Sequence, residues 1–336
     1  LYFATAIDRM ATAGARVIVL DVLLASRAPD DEVLAAAIER SGRVIEPVMS
    51  APSNALPATR DGYPVYRRAV GPTARLADAA TSLAESQIRP GDDDVVRAQP
   101  VAAWMDGRLY PSISLAAVST YLRRPAPLQP DASHHVLAFA GRDIPMNDRG
   151  DMLIHYVGPP STPKPNAAAT SFRVLSFVDL VRGNVDASLL RDSIVFLGVH
   201  GSTGFADNYW TPTSTADTGP MDLVEIHANA AATILAGGLP SRQAVFLRDQ
   251  DTGSVVVVVA ALSALTAVAM AMLAPWQAGT IALLLLVGYN AVAARLWWAE
   301  GVVPNLLLPT VAILGTVALC ACLLYTSPSP RDRQKS

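Results

Sequence analysis

The end of the chain carries three long apolar stretches, which stand out from the mixed pattern of hydrophobic and polar positions before them. They cover residues 252–274, 277–294 and 301–325, and no Asp, Glu, Lys or Arg occurs between 252 and 294. About 20 helical residues cross a hydrocarbon core of about 30 Å. The pattern therefore predicts three transmembrane helices, at residues 252–274, 277–298 and 301–325. An odd number of spans would place the chain before them and the chain after them on opposite sides of a membrane.

The first 250 residues alternate short apolar runs with segments of helical spacing. Residues 16–20 and 193–199 are continuous apolar runs of the kind found in buried parallel strands. Asp30 and Asp31 suit the first turn of a helix that ends near Gly42, and residues 43–49 suit the next strand. Such a strand–helix–strand unit has a right-handed crossover and pairs its strands in parallel. We therefore predict an α/β fold with a mostly parallel or mixed sheet flanked by helices, followed by the three-helix transmembrane region.

Other elements of this region follow from local signals. Asp106 and Gly107 predict a hairpin turn, because both tolerate the positive φ that a two-residue turn requires. Residues 50–71 are rich in Pro, Asn and Gly, which indicates a loop with an edge strand at 63–70. Helices are predicted over residues 72–85, 111–122, 176–182 and 223–235, and a strand over 152–156.

Composition narrows the class of partner. The formal net charge is −3, and no basic run with interleaved aromatic residues occurs, so nucleic acid is not expected as a partner. Cys320 and Cys322 both lie in the third apolar stretch. Disulfide bonds are therefore not expected to stabilise the first 250 residues.

Both ends of the sequence differ from the rest. The chain begins at Leu1 inside a helical pattern, and we expect that a segment preceding it is missing. Residues 326–336 resemble translated sequencing-adaptor sequence, which predicts that this tail is non-native. Between these ends, the chain is predicted to divide into a soluble region at residues 1–250 and the three spans.

A set of segments in a fixed order carries a family resemblance. The segments are residues 14–24 (GARVIVLDVLL), 94–97 (DVVR), 110–112 (YPS), 153–160 (LIHYVGPP), 176–180 (SFVDL), 190–198 (LRDSIVFLG), 207–214 (DNYWTPTS) and 224–235 (VEIHANAAATIL). Together they resemble the CHASE2 extracytoplasmic sensory domain over nearly all of residues 1–250, and three membrane helices follow that domain in the family. The chain departs from the family pattern at His200, where a small residue is usual, and in a Pro/Ala-rich insertion at 161–171.

The resemblance implies the input module of a bacterial transmembrane receptor, with residues 1–250 in the periplasm and the spans in the inner membrane. The family continues into a cytoplasmic effector, for which an adenylate/guanylate cyclase is the first expectation and a histidine kinase or serine/threonine kinase the alternative. A membrane-anchored periplasmic binding protein or enzyme is a third interpretation. The expected partners are the lipid bilayer, an unidentified small-molecule or envelope signal, and a second copy of the chain. No cofactor and no catalytic residue are expected.

One candidate binding site follows from the strand pattern. In open α/β sheets, ligands bind outside the carboxyl ends of the strands. Asp21 ends the first strand, and the glycine-containing loop 198–208 follows the apolar run at 193–199. Asp21 and this loop, with His200, Ser202, Thr203 and Asp207, are therefore predicted to share one crevice that contacts a small ligand. A carboxylate that only caps a helix or orders a loop is the alternative for Asp21.

Glu225 and His227 complete the set of candidate ligand-binding residues, on adjacent faces of the helix at 223–235. With His200 and Asp207 they offer metal donors, but a capping or packing role is favoured and no metal site is predicted. The loop after residue 198 lacks the Lys-Ser/Thr pair of a phosphate-binding loop. A hydrolase triad of Ser202, His200 and Asp207 is disfavoured, because residues so close in sequence seldom adopt that geometry.

Overall fold

The computed structural model describes residues 1–51, 57–126, 128–129, 135–161, 171–200, 207–237 and 246–326. Its contacts divide the chain into two compact units, Leu1–Ser241 and Arg242–Ser336. The described helices of the first unit are α1 (Tyr2–Thr12), α2 (Asp31–Ser41), α3 (Ala74–Ala79), α4 (Ile113–Leu122), α5 (Phe177–Arg182) and α6 (Leu223–Ala236).

The described strands of the first unit are mostly short. They are β1 (Val17–Leu20), β2 (Val44–Ser50), β3 (Ala58–Arg60), β4 (Tyr63–Tyr66), β5 (Ala69–Val70), β6 (Ser82–Glu85), β7 (Ala98–Pro100), β8 (Ala102–Met105), β9 (Arg108–Pro111), β10 (Val136–Phe139), β11 (Arg142–Pro145), β12 (Asp151–Leu153), β13 (Ile194–Leu197), β14 (Asn208–Tyr209) and β15 (Met221–Asp222). The main sheet has the parallel strands β13, β1, β2 and β6 in that order, and β5 pairs antiparallel with the end of β2.

The parallel sheet confirms the predicted α/β fold. The two continuous apolar runs of the sequence are neighbours, since Val17 pairs with Ile194 and Leu20 pairs with Leu197. The unit β1–α2–β2 is the predicted strand–helix–strand unit, and its two strands pair in parallel. The helix α2 ends at Gly42, whose φ of 59° is the left-handed conformation that glycine adopts most easily at a helix end.

The prediction of one helix over residues 72–85 is wrong in its second half. The helix α3 ends at Ala79, and residues Ser82–Glu85 form β6, which pairs in parallel with β2. The sequence SLAE has no strand periodicity, so only pairing with β2 makes it a strand. This correction matters for function, because the end of β6 contributes to the candidate site described below.

A second sheet of the first unit has four strands, in the order β3, β4, β8 and β9. Its hairpin between β8 and β9 turns at Asp106 and Gly107, whose φ angles are 48° and 76°, as the sequence predicted. The predicted edge strand at 63–70 is instead two strands, and β4 is an interior strand between β3 and β8. The strand predicted at 152–156 is only partly confirmed, because β12 ends at Leu153; this short strand pairs with β7.

Two apolar clusters cover the faces of the parallel sheet. One face, which we call the α1/α2 face, packs Ile18, Leu20 and Val44 against buried residues of α1 and α2. The other, the α4 face, packs Val17, Val19 and Ile45 against Ile113, Ala116 and Ala117 of α4. The alternation of side chains along β1 explains this division, because successive residues of a strand point to opposite faces.

The second unit contains three apolar helices, α7 (Thr252–Met272), α8 (Pro275–Glu300) and α9 (Leu307–Thr326). Two short strands, β16 (Arg248–Asp249) and β17 (Val302–Val303), pair in parallel beside them. By length and composition, α7 and α8 are able to cross a membrane, whereas the apolar segment of α9 is the shorter Leu307–Leu323. Two of the three predicted spans therefore have support, and the third stays a prediction. Residues 327–336 lie outside the described residues, so the non-native tail also stays a prediction.

Candidate functional site at the carboxyl ends of the parallel strands

The parallel sheet has a topological switch point between β1 and β13. The connection after β1 leads into α2, which packs on the α1/α2 face. The connection after β13 leads to α6, which packs with α4 on the opposite face. Where the connections of adjacent parallel strands leave toward opposite faces, a crevice opens at the carboxyl ends of the strands, and ligands bind there. We call this end of the sheet, where β13, β1, β2 and β6 all finish, the carboxyl edge.

Asp21 directly follows β1 and lies at the switch point. Its N–H donates to the carbonyl of Leu197 (2.7 Å), which ties the end of β1 to the end of β13. Its side chain is 6% exposed, and its carboxylate lies 4.0 Å from Nε2 of His227. Burial, together with repulsion from Asp207, raises the pKa of Asp21 to about 7. The position predicted for Asp21 is therefore the observed one, while its role in ligand binding stays a prediction.

His227 joins three elements at the carboxyl edge. It lies in α6, where its side chain is 2% exposed. Its Nε2 lies 3.2 Å from the carbonyl of Ser86 and its Nδ1 3.3 Å from Oε1 of Gln99. Burial lowers the pKa of His227 to about 4, so the imidazole is neutral at physiological pH. The packing role that the sequence favoured for this residue agrees with these contacts, and they also hold the ring beside Asp21.

Asp207 and His200 lie at the solvent side of the same edge. Asp207 precedes β14, and its carbonyl accepts the N–H of Leu223 (2.8 Å) at the start of α6. Asp207 is exposed, but partial desolvation raises its pKa, and repulsion from Asp222 raises it further. His200 follows β13, and its Nδ1 pairs with the carboxylate of Asp222. Asp21, Asp207 and His200 are thus brought together by the ends of β1 and β13 and the start of α6.

Glu225 has a different role from the other candidates. Both oxygens of its carboxylate accept the backbone N–H of Ser161 (3.0 Å each), and one also accepts the Ser161 hydroxyl (2.7 Å). Asn229 accepts the N–H of Val157, and Thr233 accepts the N–H of His155, both at 3.0 Å. These acceptors recur every four residues along one face of α6, so they hold the segment 155–161 against the helix. The carboxylate of Glu225 is therefore committed to the backbone.

Two further buried polar residues, Glu85 and Ser86, lie at the carboxyl edge and were not predicted from the sequence. Glu85 ends β6, is 1% exposed, and has a pKa that burial raises to about 8. Next to it, Ser86 is equally buried, and its hydroxyl has no hydrogen-bond partner. Both were missed because residues 72–85 were predicted to be helical, so no strand end was expected there. Ser202 and Thr203, which the sequence placed in the site, lie outside the described residues.

The chemistry of the carboxyl edge is acidic. Asp21, Asp207, Asp222 and Glu85 supply carboxyl groups; His200 contacts Asp222 directly, and the charge of Arg89 acts on Glu85. Among the described residues, no group of three or more His, Cys, Asp or Glu side chains is arranged to hold a metal ion. A shallow pocket elsewhere, between α1 and α5, is lined by Arg9, Thr12, Leu180 and their neighbours and contains none of the predicted site residues.

Comparison with known proteins gives one match. The model of the family described as the CHASE2 domain matches residues 1–270 of the chain. No curated protein and no solved structure matches it. The matched range includes the whole parallel sheet, the carboxyl edge and most of α7.

Proposed function

The chain belongs to the CHASE2 domain family, whose members are extracytoplasmic sensory domains of signalling receptors, and on this premise we propose a function for it. Residues 1–250 act as the periplasmic input module of a bacterial receptor, and α7, α8 and α9 anchor this module in the inner membrane as three spans. The carboxyl edge of the parallel sheet is the part of the module that detects a ligand. The spans carry the resulting conformational bias to an effector on the cytoplasmic side.

The single observation that carries this proposal is the parallel ladder between β16 and β17. The N–H of Arg248 donates to the carbonyl of Gly301 (3.0 Å), and the N–H of Gln250 donates to the carbonyl of Val303 (3.2 Å). The ladder joins the segment that enters α7 to the segment that enters α9, and we call it the collar. Because both helices start at the collar and α8 ends there, α7 and α9 run in the same direction and α8 runs back between them.

Side chains reinforce the collar. Oε1 of Gln250 accepts the N–H of Asn305 (3.0 Å), and the hydroxyl of Tyr289 donates to the carbonyl of Asn305 (2.5 Å). Oδ1 of Asn305 in turn accepts the N–H of Leu308 (3.0 Å) in the first turn of α9. Asn305, two residues after β17, is thus fixed to the chain before α7, to α8 and to α9.

Charge supports a membrane boundary at the collar. Arg248 pairs with Glu300 at 3.5 Å, and Asp249 and Asp251 lie beside them. At the other end, the connection between α7 and α8 at residues 273–274 carries no charge. Trp297 and Trp298 lie in the last turns of α8, where aromatic residues mark the interface between lipid and water. This arrangement supports an orientation in which the collar faces the same side as residues 1–250.

The proposed mechanism is a shift in the populations of two conformations of the sensor. A ligand that binds the carboxyl edge favours one arrangement of the sensor, and the collar passes the change directly to α9 as well as to α7. The candidate contacts are Asp21, Asp207, His200 and His227, with Ser202 and Thr203 following His200 along the chain. We propose a class III nucleotide cyclase as the effector and a homodimer as the working state. Both rest on the family resemblance.

Reporter fusions at three points along the chain test how often it crosses the membrane. Alkaline phosphatase, which is active only outside the cytoplasm, and a fluorescent protein that folds inside are each fused after Ala274, Gly301 and Thr326. We expect phosphatase activity for the Gly301 fusion alone, and fluorescence for the other two. Phosphatase activity after Thr326 would mean that α9 does not cross the membrane. It would overturn the proposal that the sensor and the effector lie on opposite sides of the membrane.

A further inference from the structure

Among the described residues, no acidic side chain of the carboxyl edge forms an ion pair with an arginine or a lysine. Asp21 and Asp207 repel each other, and Asp207 is also repelled by Asp222. Asp222 is in direct contact with the imidazole of His200. In the part of the chain that the structure describes, every arginine ion pair is made with another acid, as in Arg16–Asp192, Arg40–Asp8, Arg75–Glu32, Arg89–Asp151, Arg97–Asp93 and Arg248–Glu300.

Asp21 is the deepest of these groups, and its carboxylate has no hydrogen-bond donor among the described residues. Nε2 of His227 is 4.0 Å away, beyond hydrogen-bond distance. A neutral imidazole has one N–H, and the carbonyl of Ser86, at 3.2 Å from Nε2, is the acceptor placed to receive it. A buried carboxyl group without a donor is costly, so the described residues by themselves leave the hydrogen bonding of Asp21 incomplete.

The hydroxyl of Ser86 is an independent sign of the same incompleteness. It is fully buried and has no hydrogen-bond partner among the described residues. Ala84 of β6 belongs to the α4 face, and Ser86, two residues later and just beyond the strand, follows the same alternation. The carbonyl of Ser86 and the carboxylate of Asp21 both lie near Nε2 of His227, so the two buried groups meet at this ring.

The missing group must bring hydrogen-bond donors and positive charge. An anion would be repelled by Asp21 and Asp207, and the described carboxylates and imidazoles are too dispersed to hold a metal ion. An ammonium or amidinium group offers several N–H donors together with one positive charge, and bonds between such donors and carboxylates are the stronger class of hydrogen bond. On the premise that the carboxyl edge is the ligand site proposed above, we infer that it binds a small organic cation, which Asp21 and Asp207 hold by its charged nitrogen.

Binding of such a cation should be coupled to a proton. The pKa of Asp21 is raised to about 7, and the titratable groups that face it are Asp207 and Tyr209 near β14 and His227 on α6. A cation favours the ionised form of Asp21, so binding below pH 7 releases a proton from this group. The apparent affinity should therefore rise from pH 5 toward pH 7 and change little above pH 8.

The experiment uses the full chain in lipid nanodiscs. Thermal unfolding and titration calorimetry are measured with ethanolamine, putrescine and agmatine as cationic probes, ethylene glycol as a neutral probe and acetate as an anionic probe, at one ionic strength. We expect the cationic probes alone to raise the melting temperature, and calorimetry in buffers of different ionisation enthalpy to show proton release near pH 6. Asp21→Asn should weaken binding at least about tenfold and remove the proton release.

Two further variants keep the result interpretable if Asp21→Asn folds poorly. Asp207→Asn, at an exposed position, should weaken binding of the cationic probes several-fold. Glu46→Gln replaces another buried carboxyl group in the same sheet, on a neighbouring strand, and should leave probe binding unchanged. Equal binding by the wild type and both Asp variants would show that the probes bind elsewhere.

The remaining outcomes separate this inference from the proposed function. A response to ethylene glycol or acetate that Asp21→Asn abolishes would leave the carboxyl edge as the ligand site and overturn the cationic class. No response to any cationic probe, with a melting temperature that still depends on pH through Asp21, would overturn the inference in favour of a site that takes up protons alone. Neither result bears on the reporter fusions, which test the membrane wiring independently.

Discussion

Two buried carboxyl groups in one parallel sheet have different surroundings. Glu46 lies in the middle of β2, and the alternation along that strand places it with Val44 on the apolar α1/α2 face. Both of its carboxylate oxygens are buried without a hydrogen-bond partner. Asp21 lies at the end of β1, where β13 ends and where α6 presents His227 at 4.0 Å.

The comparison shows that burial alone does not indicate a binding site. Burial is the cause that raises the pKa of Glu46 to about 8, and no charged neighbour adds to it. For Asp21, burial acts together with Asp207, a second acid that reaches the same position from another element. What distinguishes the carboxyl edge is the meeting of several polar groups at strand ends, at the topological switch point where open α/β sheets bind ligands.

The largest expected effect is a loss of stability when a side chain is removed from the apolar α1/α2 face. Leu20→Ala removes a fully buried side chain from the cluster with α1 and α2, and should lower the free energy of unfolding by about 4 kcal/mol. The matched control is Val33→Ala on the exposed side of α2, which should change it by less than about 0.5 kcal/mol. Urea unfolding followed by circular dichroism measures both. Similar losses for the two variants would mean that this face is not the main source of stability.

The second prediction uses pH to separate Glu46 from exposed acids. The pKa of Glu46 rises from its usual 4.5 to about 8 on folding. Between these values the unfolded chain binds fewer protons than the folded one, so stability falls as pH rises from about 4.5 to about 8. Glu46→Gln removes this loss and should raise the free energy of unfolding by roughly 3 kcal/mol at pH 7 and by almost nothing at pH 4.

The control for this prediction is Asp148→Asn, because the Asp148 side chain is 96% exposed. It should leave the dependence of stability on pH unchanged. Urea unfolding at pH 4, 5.5, 7 and 8 gives the comparison. A Glu46→Gln variant whose stability falls with pH as steeply as that of the wild type would show that Glu46 is hydrated rather than buried.

The third prediction sharpens the difference between the two histidines of the carboxyl edge. His227→Ala leaves the Ser86 carbonyl and the Gln99 side chain without their partner and should cost about 2 kcal/mol. His200→Ala, at a side chain that is 43% exposed, should cost less than about 1 kcal/mol. Chemical unfolding at pH 7 measures both variants. Equal costs would contradict the view that His227 holds the ends of these elements together.

The smallest expected effect comes from two buried serines. The hydroxyl of Ser114 donates to the carbonyl of His227 (2.9 Å), so Ser114→Ala should cost about 1 kcal/mol. The hydroxyl of Ser86 has no partner, so Ser86→Ala should be neutral or slightly stabilising in the absence of ligand. The melting temperatures of the two variants, measured under one condition, show whether each substitution lowers or raises stability. A clear loss for Ser86→Ala would mean that its hydroxyl already has a partner, and the site would then be complete without a ligand.

Local signals were sufficient for much of the fold. The runs VIVL at residues 17–20 and IVFL at 194–197 are apolar, which indicates strands buried on both faces; they form β1, which is fully buried, and β13, which is partly buried. The Asp106–Gly107 turn was predictable because few residue pairs tolerate two positive φ angles in succession. The strand β6 was not predictable, because its polar sequence becomes a strand only beside β2.

For the candidate site, the sequence indicated Asp21 and the loop after residue 198, because a strand end can be recognised from the chain itself. It could not separate the roles of Glu225 and His227, which lie two residues apart on one helix. In the folded protein, Glu225 holds the backbone of Ser161, whereas His227 lies beside Asp21. The difference depends on which distant segment packs against each face of α6.

By itself, the sequence determined the α/β class, the apolar helices after residue 250 and the family, because each depends on patterns that repeat within a short stretch of chain. The tertiary structure decided the strand order β13–β1–β2–β6, the switch point, and the meeting of Asp21, Asp207 and His227. Contacts between segments so far apart follow from how whole elements pack, and the local period of hydrophobic residues carries no information about them.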